Sequence, residues 1–504
     1  MKITGSIWIA IGALAFGLGC GGGGPDVKVN GPVKQHTDQN GTREEDLKPK
    51  AKELFGAALD AFNAHDKAND WADAICSAMA QQFEGARSAQ TGNKFPEASF
   101  DAGLAFQRCG NDKEAKSHFQ EALSDEPQFH FARAQLALYQ FKADADVNAA
   151  IMALEQAVAD AKFQNVPALV DLAMFQMQRD SSAIGANCKA NVGGKDVDLQ
   201  DFDCAKLNLQ RALAIDDGYM PAFNQLALYY FGNSKKKAGG GKKFGRTIAT
   251  NAALSKRGDI QALELAALVC SQAVRKNAGY APIHNTSGLI LNELGQVNSA
   301  VKEFQAAAQL DPHFFEAQMN LAAINLSFRG FDKAEGAYRK ALEMHSNDYD
   351  AHLGLALALR GQIDDSNYDR QVVAVQAELD ACKKVDAARP DSYFNEGILT
   401  QEYKAKSAGG TDKTISIYED AKKIFQTFMD KASGKPEYAG AQKKATERMQ
   451  DIDDTITFLK AGGPPSATPP PPPPSDSSAS PPTAAAAAPS GMSAASPAPS
   501  APAH

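Results

Sequence analysis

Between Ala281 and Asn347 small and large apolar residues return at a fixed spacing of 34 positions. Gly288 is answered by Ala322, Ala300 by Ala334, Phe304 by Tyr338 and Ala307 by Ala341, while the turn residue Pro312 is answered by Ser346. Within each unit the pattern fits two successive amphipathic helices. A small residue in each helix lets the pair approach closely, the large residue fills the gap towards the next pair, and Pro312 stops the second helix. The spacing therefore predicts antiparallel helix hairpins, each burying its apolar face against its neighbours.

The same offsets recur on both sides of this segment. A repeat begins at Pro96, with Gly103, Phe106, Gly110, Ala115, Phe119, Ala122 and Pro127 in place, and another at His130 with Ala137, Ala150, Leu154 and Ala157. A third begins near Val166 with Ala173, but its second helix is delayed to Ala205, Leu209 and Ala212, which predicts an insertion over about 180–200. The fourth starts near Met220 with Ala227 and Tyr230 and resumes only at Ala266, Cys270 and Ala273, so 231–260 is expected to be a long loop. After the two clean units, a seventh starts at Tyr349 with Ala356 and carries a shorter insertion, about 361–372, before Cys382 and Pro390. The eighth runs from Pro390 through Gly397 to Ala421, Phe425 and Phe428. Two apolar runs, Leu54 to Phe62 and Trp71 to Phe83, predict a helical hairpin ahead of the repeats, and 437–460 reads as an amphipathic capping helix.

These offsets resemble the tetratricopeptide repeat (TPR) family. The resemblance implies an all-α fold, a right-handed α-solenoid of about eight helical hairpins over 51–460, with long insertions between helices. It also implies a concave face lined by the first helix of each repeat. One lining position is occupied by Leu104, Leu138, Met174, Leu228, Leu289, Ala323, Leu357 and Ile398. All eight are apolar, so the Lys and Asn clamp that binds carboxylates in chaperone-binding TPRs is missing there. The position one turn earlier, with Phe100, Val170, Met319, Leu353 and Phe394, leans the same way. Two readings stay open: these side chains pack on neighbouring helices, or they line a groove for an amphipathic helix or apolar segment of a partner.

The two ends are different in kind. Lys2 precedes an apolar run from Ile7 to Leu18 and small residues up to Cys20, the layout of an export signal and too short for a membrane span. It resembles a bacterial lipoprotein signal, which implies acylation of the Cys20 thiol, although Gly17 stands where that pattern usually has Leu. Gly21 after the cysteine implies sorting to the outer membrane, with the body facing the periplasm. Residues 21–48 then read as a flexible tether, and 461–504, with Pro469 to Pro474 unbroken, as a disordered Pro/Ala/Ser-rich tail.

At 504 residues the chain is longer than one compact domain, a length that a solenoid tolerates because each unit packs only on its neighbours. A net charge of −8 argues against general nucleic-acid binding. Export makes disulfides possible for the six cysteines other than Cys20. Cys188 and Cys204 bracket the third-repeat insertion, and Cys76 and Cys109 can meet between adjacent helices. Cys270 and Cys382 are expected in the large-residue position of Phe304 and Tyr338, as buried hydrophobes without a bridge. No C-x-x-C pair occurs, which removes the usual zinc and redox signatures.

The fourth insertion reads GGKKFGRT from Gly240 to Thr247, close to a phosphate loop, but it has Arg246 in the lysine position and no preceding strand. Nucleotide binding is therefore not expected. The segment is strongly basic: Lys235, Lys236, Lys237, Lys242, Lys243, Arg246, Lys256 and Arg257 occur with no acid between Asp217 and Asp259. A solvated loop and a docking site for acidic lipid, glycan or protein both fit. The nine histidines are scattered; His345 and His352 flank a repeat boundary and could approach each other. No catalytic constellation, cofactor motif, metal set or small-molecule site is expected.

The reading is a lipid-anchored scaffold that binds other envelope proteins. Its layout of lipidated N-terminus, many repeats with Gly/Lys-rich inserts and an Ala/Pro/Ser tail is similar to TPR lipoproteins of the myxobacterial adventurous gliding-motility machinery. That likeness implies an outer-membrane component of a trans-envelope complex, with gliding-complex proteins as partners. Two alternatives remain: a pilotin or assembly lipoprotein for type IV pili or outer-membrane proteins, and an accessory regulator of a cell-wall enzyme.

Overall fold

The computed structural model describes residues 47–68, 70–179, 188–192, 195–237 and 257–461. Cys20, the tether up to residue 46, Lys242, Lys243, Arg246 and the tail from 462 onward lie outside the described residues. The chain divides into two compact bodies, one ending at Ser392 and one beginning at Tyr393.

In the first body the helices follow one another as hairpins: α1 (Pro49–Ala68) with α2 (Asp73–Ala89), α3 (Pro96–Arg108) with α4 (Asp112–Asp125), α5 (His130–Asp144) with α6 (Val147–Asp160), and α7 (Val166–Arg179) with α8 (Asp201–Ile215). The series continues with α9 (Met220–Lys237) and α10 (Arg257–Lys276), α11 (Ala281–Glu293) and α12 (Val297–Leu310), α13 (Phe315–Ser327) and α14 (Phe331–Met344), and α15 (Tyr349–Gly361) and α16 (Tyr368–Val385). Every helix packs on its hairpin partner, and each from α1 to α15 on the next helix in the chain. First helices of successive pairs also touch: α7 meets α9, α9 meets α11, α11 meets α13, and α13 meets α15. This is a solenoid of stacked helical hairpins.

The packing rule read from the sequence has a direct geometric form. A Cβ on Gly288 would stand 2.6 Å from the Phe304 ring, and one on Gly103 would stand 2.6 Å from the Phe119 ring. Only a hydrogen on the α carbon lets the aromatic ring lie against the facing backbone. Five second helices end in the same way, with the backbone N–H of Asp311, His345, Asn277, Glu126 and Asp216 bonded to the carbonyl of Ala307, Ala341, Ala273, Ala122 and Ala212. Several helix starts are capped by side chains: Asn111 accepts from the Glu114 N–H, Asp146 from Asn148 and Ala149, and Asp348 from Ala351.

That exit bond corrects the expectation for Cys382. Asp386 donates to the Cys382 carbonyl, so Cys382 occupies the small-residue position of Ala307, and Leu379 takes the large one. Thiol and alanine differ little in volume, so the substitution fits the close-packed position. Cys270 does take the position of Phe304, four residues after Ala266 and three before Ala273.

All three insertions differ from plain loops. The third holds a short antiparallel ribbon, β1 (Cys188–Val192) paired to β2 (Lys195–Leu199), with Cys188 opposite Leu199. The fourth is helical at both ends, since α9 runs to Lys237 and α10 starts at Arg257. Lys235, Lys236 and Lys237 therefore belong to the last turn of a helix rather than to a loop. In the seventh, helix begins at Tyr368, so much of the added length extends α16 to 18 residues against 14 for α12.

The second body contains α17 (Asp391–Leu399), a π-helical turn over Thr400–Lys404, α18 (Thr411–Ala432) and α19 (Ala439–Lys460). Gly397 faces the Phe425 ring as Gly288 faces Phe304, and Ile398, Tyr418, Phe425, Phe428 and Ile452 form its core. Lys422 pairs with Asp453 at 2.6 Å and Arg448 with Glu402 at 2.6 Å, tying α19 to what precedes it. Among the described residues no helix is long and apolar enough to cross a membrane.

Candidate interaction surface

The predicted lining position divides on burial. Leu104, Leu138, Leu289 and Ile398 are buried, whereas Met174, Leu228, Ala323 and Leu357 are half-buried. One turn earlier, Phe100 and Val170 are buried, while Met319, Leu353 and Phe394 keep partial exposure. An uninterrupted apolar groove is thus not formed, because half of its expected side chains pack inside their own body. In the first body the partly exposed members lie on α7, α9, α13 and α15; α7 contacts α9 and α13 contacts α15, while α11, whose Leu289 is buried, lies between α9 and α13.

Polar side chains link successive first helices. The Thr286 hydroxyl on α11 donates to Oδ1 of Asn224 on α9 at 2.6 Å, and Nδ2 of Asn320 on α13 donates to Oδ1 of Asn285 on α11 at 2.9 Å. Nearer the start, Nε2 of Gln107 donates to Oε1 of Gln135 at 3.2 Å. Asn224 and Asn285 each lie three residues before the small residue of their repeat, the position that carries Met319 and Leu353 in later repeats. Polar residues at that one offset, in two repeats, were the available signal. Each contact uses only part of an amide's donor and acceptor capacity.

Another polar device is repeated inside the hairpins. Nδ1 of His284 meets Glu303 at 2.8 Å while its Nε2 meets the carbonyl of Ala278, six residues back, at 3.0 Å. His352 does the same, with Glu378 at 2.6 Å and the Ser346 carbonyl, again six back, at 3.0 Å. Gln318 lies midway between them in the sequence and reaches the Pro312 carbonyl at 3.4 Å, and Arg133 combines the Pro127 carbonyl with Asp160. The Glu303 hydrogen bond, opposed in part by burial, raises the His284 pKa above its ordinary value. His345 instead stacks on Phe315 with ring centres 4.3 Å apart, so the expected approach of His345 and His352 gives way to separate partners.

The cysteines fall into two classes. Cys76 is bonded to Cys109, with Cα atoms 6.4 Å apart, and joins α2 to the end of α3. Cys188 is bonded to Cys204, with Cα atoms 5.9 Å apart, and ties β1 to α8. Cys270 and Cys382 are free and buried, and burial pushes both thiols up to about 12. The base of the third insertion is also held by Arg179, which donates to Asp201 at 2.7 and 2.6 Å and to Asn148 at 3.1 Å.

The family model described as Tetratricopeptide repeat matches residues 281–314. No curated protein matches the chain. Among solved structures, a thermophilic TPR protein of Thermus thermophilus is 24% identical, with 46% of this chain and 99% of that one covered and a TM-score of 0.35. The pilF protein of Pseudomonas aeruginosa is 17% identical, covering 55% and 97% with a TM-score of 0.37. MamA of Desulfovibrio magneticus is 16% identical, covering 42% and 97% with a TM-score of 0.30. Residues 281–314 match a tetratricopeptide repeat and are set in a stack of helical hairpins, most of which follow the same offsets.

Proposed function

We propose that this chain is a lipid-anchored periplasmic scaffold at the outer membrane, which holds proteins of a trans-envelope complex, the gliding-motility machinery, on the first-helix face of its repeats. The observation that carries the binding part is the series of touching first helices, α9, α11, α13 and α15. They combine partly exposed Leu228, Ala323 and Leu357 with the amides of Asn224, Asn285 and Asn320. Apolar area supplies affinity for a partner segment, and amides next to it satisfy polar groups that the partner would otherwise bury unpaired. The export signal ending at Cys20 supports the anchor, and the Pro-rich tail and basic fourth insertion offer further contacts.

The test is affinity capture of the full chain from detergent-solubilised envelopes, beside a Cys20→Ala variant, with mass spectrometry of co-purifying proteins and of the first peptide. Expected are an acylated Cys20 and a set of motility-complex proteins that is depleted in the variant. Recovery of pilus secretin alone or peptidoglycan synthases alone, or an unmodified Cys20, would overturn the proposal.

A further inference from the structure

Near the start of the stack, a ring nitrogen and two carboxylates converge at contacts of 3.4 Å, longer than an ordinary N–H···O bond. His118 and Glu121 lie one turn apart on α4, and Glu84 comes from α2 in the neighbouring hairpin. Nδ1 of His118 stands 3.4 Å from Oε1 of Glu84 and 3.4 Å from Oε2 of Glu121. Nδ1 of His118 and Oε1 of Glu84 are both buried and have no hydrogen-bond partner. One proton on Nδ1 can point at only one of the two oxygens.

The two His118–carboxylate separations match those around a tetrahedral ion. Donors about 2.1 Å from a tetrahedral zinc ion stand about 3.4 Å apart, whereas an octahedral ion with the same bond length sets neighbouring donors about 3.0 Å apart. All three donor atoms lie within 4.8 Å of one another, close enough to share one ion. Imidazole with carboxylate is a donor set suited to zinc.

The surroundings hold the donors in place. The Phe106 ring stacks on His118 at 5.4 Å and 12°, fixing the imidazole plane. Arg87 approaches the other oxygen of Glu121 at 3.0 Å and donates twice to Asp125 at 3.1 Å, which turns Oε2 of Glu121 towards His118. Its closest approach to Glu84 is 3.9 Å. Glu84, Glu121 and Asp125 together with Arg87 leave two negative charges, the amount a divalent ion neutralises.

We propose that Nδ1 of His118, an oxygen of Glu84 and an oxygen of Glu121 bind one zinc ion, with water in the fourth position, and so clamp the α1–α2 hairpin to the α3–α4 hairpin. The full chain, stripped with chelator, is dialysed against zinc sulfate, and bound metal is read by atomic emission for the parent, His118→Gln, Glu84→Gln and a His313→Gln control at an exposed site. Far-UV circular dichroism establishes that each variant is folded, and Glu84→Gln, at a half-buried side chain, keeps the test valid if His118→Gln does not fold. Expected are one zinc per chain in the parent and control, and affinity weakened at least about tenfold in Glu84→Gln and in His118→Gln. No saturable zinc in the parent, or equal binding in the folded variants, overturns the proposal.

Discussion

Arg179 grips the fully buried carboxylate of Asp201 with two hydrogen bonds, of 2.7 and 2.6 Å, joining the end of α7 to the first residue of α8 across the inserted ribbon. The pair closes the third hairpin where the chain between its helices has been lengthened. Breaking such a pair by removing one partner costs about 3–5 kcal/mol, because the other charge stays buried. Asp201→Ala is therefore expected to lower the urea midpoint markedly and to raise hydrogen exchange in α7 and α8. An unchanged midpoint would show that solvent reaches the pair.

The approach of Phe304 to Gly288 gives a second test. A methyl at 288 would lie 2.6 Å from the ring, so Gly288→Ala must displace an aromatic side chain that is itself buried. Overpacking of this kind costs about 1–3 kcal/mol. Adding Phe304→Leu makes room, so the double variant should lose less than the sum of the two single changes. Strict additivity, measured by chemical denaturation, would contradict the contact.

Two disulfides bridge 33 and 16 positions of sequence. On the chain-entropy model, closing loops of these sizes stabilises by about 3–4 kcal/mol each. The double replacement Cys76→Ala with Cys109→Ala should lower the thermal midpoint, and added reductant should then have a smaller further effect than on the parent. In the native oxidised chain Cys270 and Cys382 should resist alkylation at pH 8, since both are buried and their thiols are raised to about 12. Rapid labelling of either without denaturant would contradict their burial.

His284 sets a pH dependence. Its folded pKa lies above its ordinary value of 6.5, with the Glu303 hydrogen bond the first cause. Its contribution is therefore fully present below about 6.5 and is lost as the pH rises through the raised folded value. His284→Gln should destabilise at pH 5.5 and approach the parent by pH 9. Gln318 already occupies the corresponding place one repeat later, so the variant can fold. A difference that grows with pH would reverse the assignment.

The stack was legible in the sequence because Gly288, Phe304 and Ala307 and their counterparts act through size, and size is encoded by residue type. The insertions were harder, since they lie outside the repeat and periodicity says nothing about them. The one local cue was Gly193 and Gly194 between two short segments, a dipeptide that suits a hairpin turn and falls outside the helical period. Burial along the predicted lining was not legible either: Leu104 and Leu357 share a residue type and a repeat position, yet one is fully buried and the other partly exposed. The difference comes from what their neighbours fill, as with Phe100 and Phe129 beside Leu104 in one core. The cluster of Glu84, His118 and Glu121 spans two hairpins, so its members are 34 and 37 positions apart and form no local motif.

The most direct measurement is site-specific photocrosslinking in intact cells. A photoreactive residue is placed at Ala323 or Leu357 on the first helices, or at Met152 or Val373, each 70% exposed on the second helices α6 and α16. Adducts to defined envelope proteins from 323 and 357, with none from 152 and 373, are the expected result. Adducts only from 152 and 373, or silence at 323 and 357, would contradict binding through the first-helix face.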